Sequence, residues 1–291
     1  MSSQNKTEYF FFSAFVKLFS LLGINKARKF AHFLAFLFYY IIPLRKETVI
    51  SNLKRAFPEL PEKEIRKLAY RNYYSVAVTL IEIMCLPYMK PEQVKSCLHV
   101  PDIEKIREKY LLNKGVLLMT AHFGNWELGA CSVGLHLGVP IYVVAKPQRN
   151  TFVSTWLTMM RESFGNKVVL LGMSIRNIFK VLYDKQIVGV VGDQRGNPED
   201  PRVKFMGIDS SVYPGTAVMA LRTKSPIVVV ITERQKDFTY HLKTDYIDVE
   251  SLEGTEEEKI IAINQQYCTI LEESIRKYPE QWFWMHKRWK Y

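Results

Sequence analysis

Residues Gly115–Leu128 read GVLLMTAHFGNWEL. The near-continuous apolar run after Gly115 predicts a strand buried on both faces, as in a parallel sheet covered by helices. It ends in His122, and Gly124–Asn125 predict a sharp turn into a helix whose first turn holds Glu127. On one continuous helix His122 and Glu127 would point about 140° apart. With a strand end, a turn and a helix start between them, they can converge.

Further strands follow the same pattern: VPIYVVAKP from Val139, KVVLLG from Lys167, QIVGVVGDQ from Gln186 and SPIVVVITERQ from Ser225. FTYHLKTDYIDV, from Phe238, alternates and pairs with the preceding strand as an antiparallel hairpin through QKD. Helices are expected after Lys167–Gly172 with Ser174 as N-cap, over TAVMALRTK, and from about Gly254 to Lys277. Residues 45–112 read as helical, including the segment PELPEKEIRKLAYRNYYSVAVTLIEIM from Pro58. The fold class is therefore α/β, a largely parallel central sheet flanked by helices. Ligands bind such sheets at the carboxyl ends of the strands. Three of those ends carry polar groups here: His122, Lys146 and Asp193.

The chain has 291 residues, 48% of them hydrophobic, which is enough for a sizeable core. Its net charge of +11 predicts an anionic partner. The distribution favours a membrane surface. Residues 9–46 contain no acid, six bases (Lys17, Lys26, Arg28, Lys29, Arg45, Lys46) and twelve aromatics. The longest uncharged run, Phe30–Leu44, has fifteen residues, short of the roughly 20 a spanning helix needs. It suits an interfacial or re-entrant helix on anionic lipid; packing on the protein's own core is the alternative. Nucleic acid is disfavoured, because the bases form no groove-sized patch. The division expected is a membrane-associated helical segment, 1–46, and a catalytic domain, 47–291. Cys85, Cys97, Cys131 and Cys268 have no zinc or CxxC spacing and read as reduced thiols. No cleavable signal pattern is evident.

A carboxylate that accepts the Nδ1 proton of a histidine leaves Nε2 as a base. GxSxG, HExxH, GxxxxGK[ST] and GxGxxG are all absent. If His122 and Glu127 are catalytic, the substrate brings the nucleophile, a hydroxyl or an amine. The residues alone leave a second reading open: a structural histidine beside a helix-N-terminal glutamate.

HFGNWE in this strand–turn–helix context resembles the H-x4-E motif of the bacterial lipid A biosynthesis (lauroyl/myristoyl) acyltransferases, relatives of the H-x4-D glycerolipid acyltransferases. RKETVISNLKRAFPEL from Arg45, AKPQRN from Ala145, VGDQRG from Val191, PGTAVMALRTKSPIV from Pro214 and PEQWFWMHKRWK from Pro279 resemble further segments of that family, in order, from residue 45 to the end. The resemblance implies transfer of a fatty acyl chain from acyl carrier protein or coenzyme A to a hydroxyl of a membrane glycolipid. His122 would be the general base and Glu127 its orienting partner, with no metal or other cofactor. Asn125, Lys146, Arg149, Arg161, Asp193 and Gln194 would meet substrate. Arg161 would hold a phosphate or the developing oxyanion, and Asp193 would order Arg161 or its loop. Lys146 stands where the family commonly has arginine, losing bidentate phosphate geometry. A monomer at the cytoplasmic face of a bacterial inner membrane is expected, the basic flanks suiting anionic lipid there. Trp282, Trp284 and Trp289 sit among His286, Lys287, Arg288 and Lys290. They suit either a membrane interface or, for Trp282 and Trp284, the core; Arg288 and Lys290 would line a basic mouth.

Overall fold

A computed structural model describes residues 3–171 and 175–290. Among the described residues nine strands run β1 (Leu98–His99), β2 (Val116–Thr120), β3 (Ile141–Ala145), β4 (Lys167–Leu170), β5 (Ile187–Val191), β6 (Arg202–Phe205), β7 (Ile208–Ser211), β8 (Ile227–Arg234) and β9 (Tyr240–Ile247). Seven form one sheet in the order β1-β9-β8-β2-β5-β3-β4; only the β8–β9 pair is antiparallel. The expected α/β class and the β8–β9 hairpin are both present. Ser174, expected as a helix N-cap, lies outside the described residues.

Alternation along the central strand divides the core between two layers. Leu117 and Met119 face a cluster that includes Ala217 and Ala220 of helix Gly215–Thr223, and Tyr267 and Leu271 of helix Glu256–Lys277. Val116 and Leu118 face the other side, with Leu128 and Cys131 of helix Trp126–Leu137 and Met160 of helix Thr151–Glu162. Every residue of β8 is buried, as a central strand covered on both faces requires.

Three strands were not expected. β1 is a two-residue edge strand inside the region read as helical, between helices Pro91–Ser96 and Ile103–Leu111. β6 and β7 form a separate hairpin closed by Met206 and Gly207, both at positive φ (53° and 76°). Methionine is an unusual residue for that left-handed position, so the usual Asn-Gly signal was missing.

The N-terminal helices Ser3–Leu22, Ile24–Ala27 and Phe30–Phe36 pack on helix Glu62–Cys85 through Phe19, Ala27 and Ala31 against Ala77, Val78 and Ile81. Their outer side exposes Phe10, Phe11, Leu21, Phe33 and Phe36, continued by Ile41 and Ile42. Packing on the protein's own core therefore holds for the inner side, through Phe19, Ala27 and Ala31. Arg28 departs from the expectation of an outward base: it is buried and ion-paired to Glu82 at 2.8 Å. Among the described residues no single helix is long and apolar enough to cross a membrane. Asn5–Leu22 and Ile24–Ile41 together meet that length and composition, but they are bent by 118°.

Candidate active site

The site begins at the β2–β5 pair. Thr120 and Val191 are register partners, and Gly192 N–H continues the ladder to Thr120 O at 2.9 Å. His122 and Asp193 each follow two residues later, so neighbouring parallel strands deliver them side by side. His122 Nδ1 lies 2.8 Å from Asp193 Oδ1, and His122 N–H donates to Asp193 Oδ2 at 2.9 Å. The indole of Trp282 donates to the same Oδ2 at 2.9 Å. Asp193 is buried while the His122 side chain keeps 23% of its surface. With Nδ1 on the acid, Nε2 is the uncommitted nitrogen, and no group among the described residues bonds it. Trp126 and Phe283 flank the imidazole at ring distances of 4.9 and 6.0 Å.

The turn after His122 has little freedom. Gly124 sits at φ 54°, and a Cβ there would lie 2.0 Å from Thr232 O. Thr79 Oγ1 donates to Gly124 O at 2.7 Å, and Gly124 N–H donates to Gln281 O at 3.1 Å. Asn125 then caps the helix by accepting Leu128 N–H at 3.0 Å.

Glu127 is placed in the first helical turn as expected, but it does not take the Nδ1 proton. It receives Arg161 Nε and Nη2 at 2.8 and 2.6 Å, and Trp126 Nε1 at 3.2 Å. Those bonds tie the Glu127 carboxylate to Arg161 and Trp126, and the position beside His122 Nδ1 is held by Asp193. The structure therefore replaces the expected His122–Glu127 contact with a His122–Asp193 hydrogen bond and a separate Arg161–Glu127 ion pair. The pairs still sense one another. Burial pulls the His122 pKa down, but the charge and hydrogen bond of Asp193, with help from Glu127, outweigh it and raise the value above 6.5; Arg161 opposes. Burial acts to raise the Asp193 pKa, yet His122 and the two N–H donors hold it below its ordinary value.

The remaining candidates divide. Asn125 is fully buried, with its Nδ2 donating to Glu82 Oε2 at 2.9 Å, so its amide holds the turn rather than facing substrate. Lys146 and Gln194 are exposed at strand ends. Arg149 is exposed and paired with Glu8 at 2.8 Å. Trp282, Trp284 and Trp289 are all buried, as is Arg288, which donates to Ser211 O at 2.7 Å; the membrane-interface reading of the tryptophans and the basic mouth at Arg288 are both overturned. The role of Trp282 had no sequence signal beyond its place in the aromatic tail. Among the described residues no cluster of three or more His, Cys, Asp or Glu is arranged to hold a metal ion.

The raised His122 pKa has opposite consequences for activity and stability. If His122 serves as a base it must be neutral, so the acid limb of an activity profile is expected above 6.5, the ordinary histidine value. The pair's contribution to stability from protonated His122 is full below the unfolded-state value and is lost as pH rises through the folded-state value. Rate and thermal-melting profiles across pH test this together; an acid limb at or below 6.5 contradicts it.

A base presented at the carboxyl edge of a parallel sheet and backed by a buried acid is the layout of an enzyme that moves a proton in its reaction. A family model described as bacterial lipid A biosynthesis acyltransferase matches residues 2–291, and the chain belongs to that family: it is an O-acyltransferase. It is 25% identical to the lipid A biosynthesis lauroyltransferase of Escherichia coli (strain K12) over 248 residues, 84% of this chain and 79% of that protein. It is 23% identical to the palmitoleoyltransferase of the same strain over 249 residues, again 84% and 79%. The phosphatidylinositol mannoside acyltransferase of Mycolicibacterium smegmatis (strain ATCC 700084 / mc(2)155) is also similar, 23% over 247 residues, 84% and 79%.

Proposed function

We propose that the protein transfers a fatty acyl group from a thioester, on acyl carrier protein or coenzyme A, to a hydroxyl of a lipid A precursor. The observation that carries the reading is the His122–Asp193 pair with Nε2 uncommitted. Nε2 takes the acceptor hydroxyl proton as its oxygen attacks the thioester carbonyl, forming the new C–O bond. Asp193 stabilises the imidazolium. The tetrahedral intermediate collapses with cleavage of the C–S bond, and the imidazolium returns its proton to the departing thiolate. Arg161, fixed through Nε and Nη2 by Glu127, offers Nη1 to the oxyanion or to a phosphate of the acceptor. Lys146 and Gln194, exposed at the same edge of the sheet, face the head group.

Residues 1–46 are read as the membrane-associated segment and 47–291 as the catalytic part, a monomer at the cytoplasmic face of the inner membrane. The exposed Phe10, Phe11, Leu21, Phe33 and Phe36 support this: an apolar stripe packed on the protein's inner side and bare on the outer suits an interfacial helix.

Mass spectrometry of lipids from a strain lacking this chain tests the acceptor. Lipid A is expected to lose one acyl chain, restored by the wild-type gene and not by His122→Ala. Unchanged lipid A with an altered phospholipid, aminolipid or inositol mannoside would move the same chemistry to another acceptor.

A further inference from the structure

The C-terminal segment from Pro279 to Trp289 lies far in sequence from the H-x4-E turn, yet it is bonded to both halves of the site. It meets the histidine turn through backbone: Phe283 N–H donates to His122 O at 2.9 Å, Gly124 N–H donates to Gln281 O at 3.1 Å, and Phe123 and Trp282 form an antiparallel bridge. It meets the Asp193 loop through side chains. Trp282 Nε1 donates to Asp193 Oδ2, Arg195 N–H donates to His286 Nε2 at 3.3 Å, and Arg195 Nη1 donates to Lys287 O at 3.0 Å.

The segment is itself held from the other end of the chain. Asn52 Nδ2 donates to Trp284 O and His286 O at 2.9 and 2.7 Å. Asn72 Nδ2 donates to Glu280 O and Trp282 O at 2.9 and 2.7 Å. Arg55 Nη1 reaches Trp289 O at 2.7 Å. An irregular segment with three buried tryptophans satisfies its carbonyls by these long-range donors in place of a strand partner. Packing alone would not require the Trp282 indole to end on the one carboxylate that touches the catalytic imidazole.

We infer that this segment is a strap that positions the dyad, and that Trp282 is its positioning residue, acting on His122 through Asp193. The inference rests on the reading of His122 as the base. The carboxylate of Asp193 receives three N–H donors, and the indole withdraws part of the negative charge that would otherwise fall on the imidazole. It also fixes the plane of the carboxylate, so that Oδ1 stays in line with Nδ1.

Trp282→Phe removes the N–H and keeps most of the ring. Trp284→Phe is the matched control: it sits in the same aromatic cluster, and its indole donates to Pro279 O rather than to Asp193. The readout is the 15N NMR titration of the His122 imidazole in the full-length protein, assigned by its loss in His122→Ala. This requires no knowledge of the acceptor lipid. With Trp282→Phe the titration is expected to move to higher pH, and kcat/KM for acyl transfer to fall about tenfold. With Trp284→Phe the titration is expected to stay in place even where thermal stability drops. An unmoved titration in Trp282→Phe, or the same displacement in both variants, overturns the inference. Asp193→Asn separates its failure from that of the underlying reading. If Asp193→Asn leaves the His122 titration where it was, the dyad and the strap both fall. If it displaces the titration while Trp282→Phe does not, only the strap falls.

Discussion

Asp193→Asn is expected to lower kcat/KM by roughly 10³- to 10⁴-fold, the loss seen when a histidine base is left in the wrong tautomer. The substitution conserves size, so the effect comes from hydrogens. Three donors converge on Asp193: the Nδ1–H of His122, its backbone N–H, and the Trp282 indole. The last two share Oδ2. An asparagine satisfies those two best by placing its oxygen there, which turns its NH2 toward Nδ1. Nδ1 must then accept, the imidazole proton moves to Nε2, and the atom that should take the acceptor proton already carries one. The imidazole also loses the charge that raised its pKa and keeps the burial that lowers it, so its titration is expected to fall below 6.5. Glu127→Gln is the contrasting measurement. It breaks the bidentate contact with Arg161 and leaves the imidazole's own partner in place. Near-wild-type turnover in Asp193→Asn together with abolished turnover and a displaced His122 titration in Glu127→Gln would reinstate Glu127 as the partner of His122.

The exchange of partners marks where the sequence stops being informative. His122 at a strand end, Gly124 in the turn and Glu127 at the helix start are local features, and periodicity with turn chemistry finds them. That Asp193 meets His122 depends on β2 and β5 being neighbours, although β3 and β4 lie between them in the chain. Nothing in the composition of either strand encodes that order. The N-terminal bases show the same limit. Arg28 carries no mark that distinguishes it from Lys26 or Lys29; its burial follows from the position of Glu82 on a helix more than fifty residues away. The tail is a third case. Tryptophan beside lysine and arginine suits a membrane interface or, for Trp282 and Trp284, a core, and the long-range donors Asn52 and Asn72 decide for the inside. The β6–β7 hairpin was missed for a local reason, because Met206 occupies a conformation usually given to asparagine or glycine.

Glu82→Ala is expected to destabilise the protein by about 3–5 kcal/mol, the range for removing one member of a buried ion pair. Glu82 is fully buried and accepts from three elements at once: Arg28 Nε at 2.8 Å, Asn125 Nδ2 at 2.9 Å and the hydroxyl of Tyr240. Its loss strands a guanidinium whose other contacts, the Asn25 side chain, Phe238 O and the Phe238 ring, supply no negative charge. The double variant Arg28→Met/Glu82→Leu removes both charges, so it is expected to recover much of that loss in denaturant unfolding. It should not recover all of it, because Asn125 and Tyr240 remain without their acceptor. The shortfall should also appear in turnover. Arg28, Glu82, Asn125 and the Leu128 N–H form one hydrogen-bonded line from the N-terminal helices to the start of the helix that carries Glu127. If the double variant is as stable as wild type yet slow, Glu82 serves the turn more than the fold. A cost below about 1 kcal/mol for Glu82→Ala, the size of an exposed pair, would mean that water reaches Arg28 and that the N-terminal helices are not held to the body by this contact.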